Sequence, residues 1–98
     1  MNIQQLTAVM HHFVATQGWY EPSSPRPQTA CNLAISLNLE AAEVLALFQW
    51  GDQAVDPHEL GSELADVALY LLQLASITGI DLEQAILSKL KRNYQRVW

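Results

Sequence analysis

Leu33-Ala34-Ile35-Ser36-Leu37-Asn38-Leu39-Glu40-Ala41-Ala42-Glu43-Val44-Leu45-Ala46-Leu47 and Leu60-Gly61-Ser62-Glu63-Leu64-Ala65-Asp66-Val67-Ala68-Leu69-Tyr70-Leu71-Leu72-Gln73-Leu74 decide how this chain folds. Both segments are helix-forming and strongly apolar, and each carries two acids three residues apart. Residues at i and i+3 lie on one helical face, so each pair aims its carboxylates the same way. Leu33, Leu37, Glu40, Val44 and Leu47 form one stripe; Leu60, Glu63, Val67, Tyr70 and Leu74 form another. The acids therefore border faces that should be buried. An unpaired charge there costs several kcal/mol or raises the pKa, by ~3–5 units at the extreme. A cation is expected among them.

Helix signals continue on both sides. Asn2 is a candidate N-cap, followed by Ile3, Leu6, Met10, Phe13 and Val14 at helical spacing, and Gly18 stops that helix after Gln17. Pro22, Pro25 and Pro27 make 18–28 a loop, in which Trp19 and Tyr20 either cap the core or line a pocket. Thr29 opens a second helix expected to reach Trp50 before Gly51. Asp56-Pro57-His58-Glu59 reads as an N-cap, a first-position proline and a capping box, and Gly79 ends the third helix. This helix is apolar almost all round between Leu64 and Ala75, as expected of a helix covered on several sides. Asp81 starts a fourth, with Leu82, Ala85, Ile86, Leu90 and Val97 as its apolar positions. No strand signal, repeat or low-complexity tract interrupts the series. The fold class is all-α, a four-helix bundle in a single domain spanning 1–98.

Composition limits the function. Of 98 residues, 50% are apolar and 15% charged; that surplus of apolar surface, on a chain able to bury roughly 60–65% of its unfolded surface, argues for an oligomer. Glu63, Asp66 and Gln73 interrupt the best candidate for a spanning helix, so no membrane partner is expected. The net charge of −5 speaks against nucleic acid, which requires a basic face. The lone Cys31 reads as a small packed hydrophobe, and with no secretory start the expected location is cytoplasmic. His11 and His12 point about 100° apart and read as surface residues, as does His58. Lys89, Lys91, Arg92 and Arg96 crowd the last ten positions. They either suit a helix C-terminus or form a phosphate-facing cluster; Lys89, Asn93 and Arg96 share one helical face.

A di-iron bundle would need Glu-x-x-His on two helices, and no histidine stands three residues after any of the four acids. An all-oxygen set suits Mg²⁺ or Mn²⁺, and Mg²⁺ held by few carboxylates keeps positions for water and substrate phosphates. That points to nucleotide chemistry.

Glu40-x-x-Glu43, a gap of 19 residues, then Glu63-x-x-Asp66 resembles the signature of the MazG-like, all-α nucleoside triphosphate pyrophosphohydrolases. The likeness extends to Phe13 with Trp19, Thr29/Asn32-Leu33-Ala34, Phe48-Gln49-Trp50, the Val67-x-x-Tyr70-Leu71-Leu72 continuation, and Lys89-Leu90-x-x-Asn93 with Arg96. It implies a Mg²⁺-dependent hydrolase (Mn²⁺ as substitute) that cuts a (deoxy)nucleoside triphosphate into monophosphate and pyrophosphate, in nucleotide-pool house-cleaning. By position, Glu40, Glu43, Glu63 and Asp66 would ligate metal, with Glu43 ahead of Glu40 as the group acting on the attacking water. Lys89, Asn93 and Arg96 would meet the phosphates; Trp19, Asn32, Trp50 and Tyr70 would shape the base and sugar pocket. A common subgroup has His-x-Pro-Arg-Asn where Gln28, Ala30 and Cys31 precede Asn32 here, so that histidine's base contact is not carried over. The resemblance also implies a homodimer or homotetramer whose site is built from more than one subunit. Two other readings remain: an all-α dUTPase-like hydrolase, and a non-enzymatic acidic helical interaction module.

Overall fold

The structure, a computed structural model, describes residues 1–54 and 56–98. Its elements are α1 (Ile3–Thr16), α2 (Ala30–Ala46), α3 (Pro57–Ile77) and α4 (Leu82–Gln95). Each starts where a side chain can accept one of the N–H groups that a first helical turn leaves unpaired. Asn2 Oδ1 accepts from Gln5 N–H at 2.8 Å, while Asn2 N–H donates to Gln5 Oε1 at 2.9 Å, a complete capping box. Thr29 Oγ1 accepts from Asn32 N–H, and Asp81 Oδ1 from Gln84 N–H. Asp56 Oδ1 accepts from His58 N–H at 2.9 Å, ahead of Pro57. The capping box expected of Glu59 does not form among the described residues; Glu59 meets the positive helix end only as a first-turn charge. Gly18 and Gly79 take φ of 76° and 74° just past α1 and α3, a conformation that side chains with a Cβ resist.

The second helix is shorter than its sequence suggests. It closes at Ala46 with Leu47 as its cap, and Trp50 lies beyond it. Phe48 N–H, Gln49 N–H and Gly51 N–H donate to Leu45, Ala46 and Phe48 carbonyls, so i→i−3 bonds wind the chain out of α-geometry before the glycine.

Among the described residues, α3 packs against each of the other three helices. Leu33 is 2% exposed, and Met10, Val14 and Ala75 are also buried; fully burying one such leucine contributes about 2 kcal/mol. The two predicted stripes are the packed faces: Leu37, Glu40, Val44 and Leu47 are half-buried, as are Leu60, Glu63, Val67, Tyr70 and Leu74. Cys31, expected inside, is exposed on the first turn of α2, away from that stripe. His11, expected at the surface, is half-buried and bonded at both ring nitrogens, 2.6 Å from Tyr20 Oη and 2.7 Å from Ser76 Oγ.

One chain does not close into a bundle. No residue of α4 is buried, and Leu64, Leu69 and Leu71 of the central helix are 40–50% exposed, although that helix was expected to be covered on several sides. The radius of gyration is 15.8 Å, against about 13 Å for a globule of this length. The accessible surface, 7549 Å², exceeds by about a third the roughly 5600 Å² of a compact monomer of this mass. By length and composition α3 could cross a membrane, a test that the central helix of a globular protein also passes. Its Glu63 and Asp66 lie among other acids, which is no place for lipid.

Candidate active site

Helices α2 and α3 run antiparallel, and their acid pairs meet. One carboxylate oxygen from each of Glu40, Glu43 and Glu63 lies within 4.8 Å of the others. Asp66 stays outside this trio but is near enough for its charge to act on Glu40 and Glu63. Glu40 and Glu63 are half-buried and Glu43 is exposed. Glu40 Oε2 and Glu63 Oε2 are buried with no hydrogen-bond partner. An orphaned buried carboxylate oxygen is expensive, and two of them in an all-oxygen group fit a hard divalent cation.

The electrostatics record the same crowding. Hydrogen bonding with Glu43, then burial, then repulsion from Glu43, Glu40 and Asp66 push the Glu63 carboxyl up to about 7. Burial, followed by repulsion from Glu43 and Asp66, raises Glu40. An acid whose folded pKa lies above its unfolded value holds its proton more tightly when folded. Its stabilisation is complete below about 4.5 and is lost as pH rises through about 7. The melting temperature of the protein in chelator should therefore fall between about pH 5 and pH 8. Millimolar Mg²⁺ should remove most of that fall. Circular-dichroism melts with and without Mg²⁺ check this; a melting temperature that climbs across the window would show that the carboxylates are not crowded.

One helical turn from the acids along α2 and α3 lies a cleft of about 360 Å³, lined by Trp19, Pro25, Arg26, Pro27, Gln28, Asn32, Leu33, Ile35, Ser36 and Tyr70. The helical repeat explains the adjacency: Ser36 stands four residues before Glu40 on α2, and Tyr70 four after Asp66 on α3. Trp19 is held edge-on by Phe13, with ring centroids 5.7 Å apart, and the Arg26 guanidinium sits 5.3 Å over its ring. Asn32 Nδ2 donates to the Pro27 carbonyl at 2.9 Å, pinning the proline loop to the start of α2. An aromatic wall with carboxamides and one cation suits a planar, polar ring beside an anionic group. A second cleft of about 320 Å³ involves Ile3, Thr7, Leu72, Ala75 and Leu82 where α1, α3 and α4 meet, and holds none of the paired acids.

The structure thus brings together Glu40, Glu43 and Glu63, with Asp66 beside them, and gathers Trp19, Asn32 and Tyr70 in the neighbouring cleft. It does not bring Trp50 there. That ring is 89% exposed on the turn after α2, carried away by the early end of the helix. Among the described residues, Lys89, Asn93 and Arg96 make no ion pair or hydrogen bond to the acids. Lys89 and Arg96 are exposed, Asn93 is half-buried, and the Arg96 guanidinium lies 4.2 Å over the Trp98 ring. Sequence reasoning missed Arg26 and Ser36 in the cleft. It treated Gln73 only as an interruption of an apolar run, yet this amide is 3% exposed; a lone carboxamide inside such a run was the available signal.

Comparison with known proteins defines the class. The MazG-like family model matches residues 35–97, and the chain belongs to the MazG-like family. It is 36% identical over 103 residues to dCTP pyrophosphatase 1 of Mus musculus, covering 96% of this chain and 58% of that protein. It is 35% identical over 80 residues to the dATP/dGTP diphosphohydrolase of Cyanophage S-2L, covering 82% of this chain and 68% of that one. The chain therefore spans less than two thirds of the mouse relative's length. A crystal structure of a pyrophosphatase from Archaeoglobus fulgidus superposes with a TM-score of 0.77 at 29% identity, over 95% of this chain and 89% of that one. The chain thus shares its family with a dCTP pyrophosphatase and a dATP/dGTP diphosphohydrolase, and its fold with the archaeal pyrophosphatase.

Proposed function

We propose that this protein is a divalent-metal-dependent nucleoside triphosphate pyrophosphohydrolase, releasing a (deoxy)nucleoside monophosphate and pyrophosphate. The observation that carries the reading is the adjacency of two unlike parts along α2 and α3: a crowded carboxylate cluster, and one helical turn away an aromatic, carboxamide-lined cleft. The cluster suits the phosphate end of a nucleotide through a cation, and the cleft suits its base and sugar. The mouse and cyanophage relatives, by their names, act on deoxynucleotides, which makes deoxynucleoside triphosphates the first substrates to try.

Glu40, Glu43, Glu63 and Asp66 would hold Mg²⁺ or Mn²⁺. When bound, the cation supplies charge neutralisation between carboxylates and phosphate oxygens and Lewis acidity toward the phosphoryl group. The chain's own residues do the rest. Glu43 is the exposed member of the trio, so we assign it the attacking water, whose proton it accepts as oxygen adds to the α-phosphorus and the bond to the bridging oxygen breaks. Trp19, Asn32 and Tyr70 hold the nucleoside so that the α-phosphate lies over the acids; such positioning is a large part of phosphoryl-transfer catalysis. Lys89, Asn93 and Arg96 are assigned to the departing phosphates.

Among the described residues those three make no ion pair or hydrogen bond to the acids, so a partner subunit would bring them or their equivalents to the site. We propose a homodimer at least, formed over α3 and α4. Exposed Leu64, Leu69, Leu71, Ile86, Leu87 and Leu90 and the excess surface support it. An obligate interface buries about 2000 Å² or more in total, and the excess here is of that order per chain. Light scattering at micromolar concentration should give a mass of twice 11.0 kDa or a higher even multiple; a stable, active monomer would refute the assembly. We place the activity in the cytoplasm, in clearing the nucleotide pool.

The function is tested with a panel of ribo- and deoxynucleoside triphosphates, with Mg²⁺ and with chelator. Pyrophosphate released only with the metal supports a pyrophosphohydrolase. Turnover confined to dUTP would favour the dUTPase-like reading, and none at all the interaction module.

A further inference from the structure

Gln73 lies in the apolar C-terminal part of α3 and is 3% exposed. Burying an amide there is unfavourable unless its hydrogen bonds are met, and they are met in one direction. Gln73 Nε2 donates to Gln28 Oε1 at 2.8 Å and to Tyr20 Oη at 3.2 Å. Gln28 lines the nucleoside cleft, and its Nε2 donates to the Arg26 carbonyl at 2.7 Å. Tyr20 Oη continues to His11 Nδ1 at 2.6 Å, and His11 Nε2 to Ser76 Oγ at 2.7 Å. A chain of side chains thus ties α1 and α3 to the proline loop at the wall of the cleft.

The order of donors and acceptors along this chain follows from its end at Arg26. A backbone carbonyl can only accept, so the Gln28 amide nitrogen must face it. Gln28 Oε1 must then face Gln73, and Gln73 must present its NH₂ group. Both Gln73 N–H donors are then in use, so Tyr20 Oη is an acceptor toward Gln73 and free to donate to His11 Nδ1. An unrestrained glutamine side chain turns over easily and offers either end to a ligand. Here, turning Gln28 over would set NH₂ against NH₂ and C=O against C=O, losing two bonds at once. Gln28 keeps one N–H and one lone pair for a ligand, in a fixed order.

We infer that Gln28 is the base-discriminating group of the cleft, and that the buried Gln73 is its positioning residue. This rests on the reading of the cleft as a nucleoside site. The chemistry it distinguishes is amino from oxo. Cytosine presents an amino donor beside a ring-nitrogen acceptor, whereas uracil presents a carbonyl acceptor beside a ring N–H. A carboxamide that can turn serves both; a locked one serves one order and leaves unpaired groups facing the other, and discrimination through such unpaired groups is large.

The test compares kcat/KM for dCTP and dUTP, which differ in nothing else, in the wild-type protein and in Gln28→Ala, Gln73→Leu and Tyr20→Phe. Wild type should discriminate between the two by tenfold or more. Gln28→Ala should bring the ratio to within about threefold of unity. Gln73→Leu should lower it several-fold by raising activity on the disfavoured base relative to the favoured one, and Tyr20→Phe should lower it less. A purely structural role for Gln73 would depress both substrates alike and leave the ratio unchanged, which overturns the inference. So does a wild-type ratio near unity, or a ratio that survives Gln28→Ala. If Gln73→Leu does not fold, Gln28→Ala and Tyr20→Phe still decide. Activity on both nucleotides with an unmoved ratio sinks this inference alone. Absence of metal-dependent pyrophosphate release from every triphosphate sinks the enzymatic reading beneath it.

Discussion

Glu43→Gln should abolish pyrophosphate release, by about a thousandfold or more, while leaving the helices intact. A thousandfold loss corresponds to roughly 4 kcal/mol of transition-state stabilisation, the scale expected when one group both completes the acid cluster and takes the proton from the attacking water. The substitution is nearly isosteric, so it separates charge from shape. Glu43 contributes a hydrogen bond and repulsion to the raised pKa of Glu63, and repulsion to that of Glu40. Neutralising it should therefore let Glu63 ionise at lower pH and raise the melting temperature of the chelated protein. Loss of activity with a gain in metal-free stability is a joint result that a merely structural glutamate would not give. Near-normal turnover would remove the cluster from the mechanism.

The second large effect is expected at the basic end of α4. If Lys89 and Asn93 meet phosphates, replacing either with Ala removes a contact worth ~1.5–3 kcal/mol when charge-assisted. Binding or turnover should then fall about tenfold to a hundredfold. If Lys89 only complements the helix dipole, the change should cost a few tenths to ~1 kcal/mol of stability and leave kinetics alone. Lys89 is exposed and makes no ion pair among the described residues, so a large stability loss has no structural source. Asn93 is the cleaner test, being uncharged and half-buried on a helix whose other residues, Leu82 apart, are exposed. We expect both variants to fold and lose activity. A lower melting temperature with unchanged kinetics would place the phosphate contacts elsewhere.

The helices and the meeting of acid pairs were legible because their causes are local. A cap, a proline at the first position, an apolar repeat and a left-handed glycine all act within a few residues, and antiparallel helices with matched acid pairs have one natural register. Trp50 was misplaced for a local reason that sequence hides: nothing in Ala46-Leu47-Phe48-Gln49-Trp50 announces a switch to i→i−3 bonding ahead of Gly51. The network from Gln28 through Gln73 and Tyr20 to His11 was out of reach because its bonds join residues far apart in the chain, 45 apart for Gln28–Gln73 and 65 for His11–Ser76. Cys31 was misjudged because composition favours a buried cysteine, whereas its angular position on α2 decides. The resemblance of the acidic signature and its flanking residues pointed to the MazG-like family, to which the chain belongs.

The proposed hydrolase requires a divalent-metal site at the carboxylates between α2 and α3. Mn²⁺ titration followed by electron paramagnetic resonance, in wild type, Glu43→Gln and Glu63→Gln, addresses it without relying on turnover. Wild type should bind Mn²⁺ in competition with Mg²⁺, more tightly as pH rises through about 7. Each variant should lose most of that binding while keeping its helical circular dichroism. Equal Mn²⁺ affinity in all three proteins would contradict the account.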